Sequence, residues 1–310
     1  MTSAPVLLPR VSVRVPAKVN LELRVGPRRA DGYHELATVY QAVGLYDLVE
    51  VTHAPQWGIE LTGRTREGVP GDASNLAVRA AQALADHAGV DTPVHLRVTK
   101  EIPVAGGMAG GSADAAGALV ACARLWGLDL PAAELEGIAA GLGSDIPFLI
   151  SGGTALGSGR GEHVVPVLTR GKYHWVFALS TQGLSTPSVY AECDRLRAAT
   201  DVTAPEPDQV LLAALAAGDR DGLAGRLAND LQDAAISLQP DLGEVLEAGL
   251  GFGALGGIVS GSGPTVAFLV RNAEAAIDLA VALAASGTAA DVRRAVGPVP
   301  GATIEAAAAR

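Results

Sequence analysis

Lysine is the scarce cation of this chain: of 23 basic residues only Lys18, Lys100 and Lys172 are lysine. With arginine as the default cation, a retained lysine marks a place where a compact ammonium point charge is needed. Cysteine is nearly missing too, since Cys122 and Cys193 form no motif, and such usage suits a reducing cytoplasm. No apolar run reaches about eighteen residues without a charge, and Met1 to Pro9 has no basic segment ahead of an apolar core. The expectation is a soluble, cytoplasmic protein with no membrane partner. Positive charge is in deficit overall, the net charge being −10, which argues against nucleic acid or an anionic membrane surface as partner. Any phosphate it binds must be held locally, by backbone N–H groups and a few chosen cations. Hydrophobic residues at 49% and charged residues at 18% of 310 place the chain among compact proteins with sizeable cores.

What is abundant is glycine, and it is concentrated. Pro103-Val104-Ala105-Gly106-Gly107-Met108-Ala109-Gly110-Gly111-Ser112-Ala113 holds four glycines in two pairs, then passes into an alanine-rich run carrying Leu119, Val120, Leu125 and Trp126 at helical spacing. Before it, Val94, Leu96 and Val98 alternate with His95, Arg97 and Thr99 up to Lys100, a strand pattern. Strand, glycine-rich loop and helix follow in that order. Glycines let successive N–H groups approach a ligand, and the helix start adds unpaired donors and a partial positive charge. The combination is an anion site suited to phosphate; a flexible turn is the plainer alternative. No Gly-Lys-Ser/Thr closes the stretch, so it is not a Walker A loop, and it is not the first turn of a Rossmann unit.

Along the rest of the chain, Val11 to Val25 predicts a first strand through Pro16-Ala17-Lys18-Val19-Asn20, followed by a basic turn at Gly26–Gly32. Leu36–Val43 and Asp47–Thr52 predict further strands, and Ile59-Glu60-Leu61 a short strand or hairpin. A helix over Leu76–Leu84 takes Asp72 or Ser74 as its cap and stops at Gly89. Another runs from Ala132 to Leu142, ahead of Gly143-Ser144-Asp145-Ile146-Pro147-Phe148. Strands are expected at Val164–Leu168 and Trp175–Leu179, with a domain boundary at Thr169–Lys172 between them. Thr186-Pro187 opens a helix to Arg197. Helices then fall at Val210–Ala217, Gly222–Ala228, Leu242–Leu250 and Ala273–Ala285, with strands at Val266–Val270 and Asp291–Val296 and a loose tail beyond Pro298.

Two residues outside the loop suit chemistry on a hydroxyl. Asp145 lies between a glycine-terminated helix and an apolar segment, at the mouth of a core; read alone it is an ordinary helix cap. Lys18 sits on the first strand, where a lysine is usually a solvated residue. Together, an ammonium beside a carboxylate keeps a base ionised and helps to polarise a hydroxyl. Tyr33 offers a flat face and His34 and Asn20 offer donors and acceptors for a base edge, although Tyr33-His34 also reads as the flank of a turn. The histidines His53, His87, His95, His163 and His174 share no metal-ligand spacing.

These motifs carry a family resemblance. Pro103 to Ala116 resembles the Pro-x-x-x-Gly-x-x-Gly-Gly-Ser-x-Ala phosphate loop of the GHMP kinases, with Ala109 and Ala113 standing where Gly and Ser are commoner. The resemblance extends to Pro16–Asn20, to Arg29–Leu36 with its Asp-Gly-Tyr-His, to Gly143–Phe148 and to Gly261-Ser262-Gly263-Pro264-Thr265. It implies an α+β, two-domain fold: a ribosomal S5-like N-terminal domain over residues 1–170 and a ferredoxin-like C-terminal domain over 171–310. It implies ATP with Mg²⁺, Lys18 and Asp145 as the catalytic pair, and residues 103 to 113 around the ATP phosphates. The Asp-Gly-Tyr-His element points to the branch whose acceptor is a cytidine diphosphate-linked methylerythritol, phosphorylated on its 2-hydroxyl on the non-mevalonate route to isoprenoids. Asn20, Tyr33 and His34, with Thr186, Pro187 and Tyr190, would then hold the cytidine end. Another small alcohol, such as mevalonate or homoserine, is the related alternative. A regulatory protein that keeps the fold without the chemistry is the unrelated one. No acidic residue is tied by a motif to the metal, and a monomer or a homodimer fits equally.

Overall fold

The structure, a computed structural model, describes residues 9–306 apart from Ala105. Two long strands organise it: β1 (Arg10–Arg28) and β2 (His34–His53) pair antiparallel along their length. Register shifts at Pro16/Ala17, Asn20/Glu22 and Val25/Arg28 bend the pair. The two strands read from Leu36–Val43 and Asp47–Thr52 are one strand. Added to them are β3 (Gly58–Gly63), β4 (Val94–Lys100), β5 (Thr154–Ser158) and β6 (His163–Pro166). β4 pairs with β2 antiparallel and with β3 parallel, so Ile59–Leu61 is a strand of the sheet and not a hairpin.

Among the described residues a second sheet, all antiparallel, is built from β7 (Tyr173–Leu179), β9 (Gly256–Val259), β10 (Val266–Val270) and β11 (Asp291–Gly297). Both of its faces are buried. Tyr173, Trp175, Phe177 and Leu179 of β7 point into the core of the first sheet, whereas Val176 and Ala178 point into a second core with Phe268, Leu246 and Leu279. Burial on both sides explains why Val266–Val270 is apolar without interruption.

Helix α1 (Leu76–Ala88) is capped by Asn75, whose side chain accepts from the Ala77 N–H, rather than by Asp72 or Ser74. Asp72 is spent one step earlier, accepting from the Ser74 backbone and hydroxyl. Helix α2 (Gly110–Trp126) is buried almost all round, and Gly117 brings it down on the sheet: a Cβ there would lie 2.7 Å from both Val15 and Val49. Next come α3 (Ala132–Ala140), α4 (Ile146–Ser151) and α5 (Thr186–Leu196). Then follow α6 (Gln209–Ala217), α7 (Arg220–Ala224), β8 (Ala228–Asn229), α8 (Gln232–Leu238), α9 (Asp241–Gly251) and α10 (Ala273–Ser286).

Two expectations are corrected in this half, and one helix is added. The helix read at Gly222–Ala228 stops at Ala224, because Ala228 and Asn229 pair parallel with Glu22 and Leu23 of β1. Helix α8 was not foreseen. The tail from Val299 to Ala306 is not loose: β12 (Thr303–Ile304) pairs with Val13 and Arg14, and the Glu305 N–H donates to the Ser12 carbonyl at 2.8 Å; the last four positions of the expected tail lie outside the described residues. No described helix is long and apolar enough to cross a membrane.

Candidate active site

β4 delivers the chain to the glycine-rich loop, and α2 takes it away. Ala109 occupies the N-cap with φ 61°, the left-handed region, which is why glycine is commoner there. The first helical bond runs from the Ala113 N–H to the Ala109 carbonyl, so the N–H groups of Gly110, Gly111 and Ser112 lie ahead of it, in position for an anion. The middle of the loop is held from two sides. The Lys18 N–H donates to the Met108 carbonyl at 3.3 Å, and the Ser260 hydroxyl donates to the Gly107 carbonyl at 3.1 Å. A Cβ on Gly107, whose φ is +70°, would overlap the Ser260 carbonyl oxygen. A Cβ on Gly106 would lie 2.9 Å from the Thr265 hydroxyl, a looser fit than at Gly107. Pro103 and Met108 are buried, Val104 is exposed, Ala113 packs into the core, and Ala105 falls outside the described residues.

Beside this loop the structure brings Lys18 and Asp145 together, Nζ to Oδ2, at 3.8 Å. Asp145 stands at the start of α4, yet its carboxylate makes no cap bond and faces Lys18 instead. Lys18 is 4% exposed, and burial pushes its ammonium below the ordinary lysine range while Asp145 opposes the shift. Asn20 is engaged in the same network: its Oδ1 accepts from Lys18 at 2.6 Å, and its amide nitrogen donates to the Thr38 hydroxyl at 2.8 Å. The turn Gly261-Ser262-Gly263 closes over this spot, a Cβ on Gly261 coming within 3.2 Å of the Lys18 ammonium. Asn229 fixes that turn by donating to the Val259 and Gly261 carbonyls at 2.8 and 2.7 Å.

A second group of predicted residues gathers at the other end. His34 is buried and stacks on Tyr190 with ring centroids 5.1 Å apart. Burial, with the Asp145 charge second, pushes the Tyr190 phenol upward. Tyr33 is 56% exposed, with the Arg160 guanidinium 5.0 Å over its ring. Thr186 and Pro187 are exposed at the head of α5, and the Thr186 hydroxyl is 2.8 Å from that of Ser262.

Several participants escaped the sequence reading. Asp194 lies 2.8 Å from the His34 Nε2, and its place one helical turn after Tyr190 was the available signal. Tyr40 stacks on Phe148 at 4.9 Å, with the Lys18 ammonium 5.9 Å from its ring centre. Burial first, then Asp145, holds its phenol well above the usual range. Ser260 and Asn229 carry no local pattern. A cavity of about 660 Å³ lined by Leu61, Gly63, Arg64, Arg66 and Glu67 adjoins the end of β4, where Thr65 bonds to the Lys100 and Ile102 carbonyls.

Residues 75–153 match the model of the GHMP kinases N terminal domain, and residues 211–289 that of the GHMP kinases C terminal domain. A 4-diphosphocytidyl-2-C-methyl-D-erythritol kinase of Streptomyces avermitilis is 55% identical over 294 residues, covering 95% of this chain and 99% of the relative. The chain belongs to the GHMP kinase family. One from Thermobifida fusca is 56% identical over 304 residues, covering 95% and 98%. A crystal structure of 4-(cytidine 5'-diphospho)-2C-methyl-D-erythritol kinase superposes with a TM-score of 0.74 at 31% identity, over 92% of this GHMP kinase and 98% of that chain. An L. major mevalonate kinase, in complex with R-mevalonate, shares the fold at 17% identity with a TM-score of 0.73, over 94% and 96%. As a GHMP kinase the protein is an ATP-dependent phosphotransferase with the mixed α/β, two-part fold of that family.

Proposed function

We propose that this kinase transfers the γ-phosphoryl group of ATP to the 2-hydroxyl of 4-diphosphocytidyl-2-C-methyl-D-erythritol. The observation that carries the reading is the Lys18–Asp145 pair, 3.8 Å apart, set between the glycine loop and the stacked His34–Tyr190 rings. The relatives named for that acceptor, at 55% identity over 95% of the chain, support the substrate. Phosphoryl transfer asks a protein for positioning and charge stabilisation more than for covalent chemistry.

In this reading the N–H groups at the head of α2 hold the ATP phosphates. Asp145 takes the proton of the acceptor 2-hydroxyl as its oxygen bonds to the γ-phosphorus and the bond to the β-phosphate bridging oxygen breaks. Lys18 offsets the charge that builds on the transferred group, and Asn20 holds that ammonium in place. Neither Lys18 nor Asp145 needs to form a covalent intermediate. The pyrimidine lies against Tyr33, His34 and Tyr190, with Thr186 and Pro187 at the rim. Mg²⁺ would travel on the ATP phosphates and neutralise part of their charge. The Ser112 hydroxyl at the helix start is a suitable further oxygen for it, and no described cluster of three His, Cys, Asp or Glu side chains offers a separate cage. The division of labour between residues 1–170 and 171–310 belongs to the same proposal.

ADP release is the test, comparing the cytidylated acceptor with mevalonate and homoserine and using Asp145→Asn as control. Turnover on the cytidylated acceptor alone, lost in the variant, is expected. Turnover on another alcohol would discard the assignment of Tyr33 and His34, and ATP binding without turnover on any of them would discard the kinase role of Asp145.

A further inference from the structure

The lysine nearest the glycine loop does not face the nucleotide side. Lys100 ends β4 and is 1% exposed. An ammonium has three N–H donors, and here all are spent inside the protein: on Asp47, on the Asp114 Oδ2 at 2.7 Å and on the Gly110 carbonyl at 3.1 Å. Asp47, fully buried on β2, uses its other oxygen to accept from the Glu101 and Ile102 N–H groups at 2.6 and 2.9 Å. Glu101 and Ile102 lead into the loop; Gly110 and Asp114 lead out of it. One buried cluster therefore grips both ends of residues 103–109.

Stability alone does not explain such a cluster, because a buried ion group is no better for stability than apolar residues of the same volume. What fixed, directional bonds supply is a single conformation. Burial works against the Lys100 charge, but Asp114 and Asp47 outweigh it and hold the ammonium above the ordinary lysine range. We propose that Asp47, Lys100 and Asp114 form a latch that sets the shape of the loop, making Lys100 a positioning residue for the ATP phosphates and not a ligand to them. This rests on reading residues 103–113 as the phosphate loop.

The test separates the two ideas. A latch variant combining Asp47→Asn, Lys100→Met and Asp114→Leu keeps an acceptor for Glu101 and Ile102 but removes the link across the loop. It should fold with a Tm within about 5 °C of the parent. Its KM for ATP should rise at least about tenfold, with the KM for the acceptor alcohol unchanged. Asp114→Leu alone leaves the Lys100–Asp47 pair and should raise the KM for ATP about threefold; it serves if the triple variant does not fold. Gly111→Val tests the loop itself, since a Cβ there meets nothing within 4 Å in the protein and would occupy the face offered to phosphate. Loss of binding of a fluorescent ATP analogue in Gly111→Val, with the raised KM in the latch variants, supports both ideas. Folded latch variants with the parental KM for ATP, while Gly111→Val blocks binding, overturn the latch and keep the loop. Normal binding by Gly111→Val overturns both.

Discussion

The proposed site has two ends, one that would take the ATP phosphates and one that would take the acceptor, and they are built from different materials. At the phosphate end the ligand-facing groups are backbone N–H donors, and the loop that presents them is pinned by the Met108 bond to Lys18, the Gly107 bond to Ser260 and the Asp47–Lys100–Asp114 cluster. At the acceptor end the groups are side chains, some of them open to solvent, such as Tyr33, Thr186 and Pro187. A backbone site answers to whatever fixes the chain around it, including residues that never touch the ligand. A side-chain site answers residue by residue. One end is thus sensitive to shape and the other to composition.

Asp145→Asn stands where the two ends meet and should stop transfer between them, lowering kcat by about a thousandfold while ATP affinity stays near that of the parent. Steady-state kinetics with nucleotide titration measure this, and near-normal kcat would remove Asp145 as the base. At the phosphate end, Gly107→Ala forces a Cβ at φ +70° against the Ser260 carbonyl. It should cost about 2–3 kcal/mol, read as lost stability or lost ATP affinity; a variant that matches the parent in both would show the loop to be slack. At the acceptor end, Tyr33→Ala should weaken the cytidylated acceptor by about 1–3 kcal/mol and leave ATP alone. Unchanged acceptor affinity with a lower Tm would make Tyr33 a packing residue.

The smallest effect concerns Asp114, which burial foremost, and Asp47 in addition, push well above the usual carboxylate range against the pull of Lys100. A raised folded-state value means the native protein binds the extra proton, so this group favours folding at low pH and loses that contribution as pH rises above the ordinary aspartate range. Asp114→Asn removes that dependence and keeps an acceptor for Lys100. The variant should therefore gain stability over the parent on going from acid to neutral pH, and a parallel pair of Tm-against-pH curves would contradict it.

Much of this was legible where the signal is local. The alternation of Val94, Leu96 and Val98 announced β4, the paired glycines announced the turn into α2, and Pro187 announced the start of α5. Lys18 and Asp145 stood out by motif, although nothing in their spacing said that they meet at 3.8 Å. What stayed hidden is what depends on distant partners. Lys100 and Asp47 are 53 residues apart, and only the pairing of β2 with β4 brings them together. β8 and β12 are two residues each and exist because β1 has free edges to offer them.

The second sheet sends Tyr173, Trp175 and Phe177 into the first core, and β1 sends Leu23 and Val25 into the second. Each half of the chain thereby completes the interior of the other. A polypeptide ending at residue 170 would contain Lys18, the glycine loop and Asp145, yet would expose the apolar surface those rings now cover. In folding terms, residues 1–170 expressed alone should be less stable than the same residues in the whole kinase, which the Tm of the two polypeptides would show.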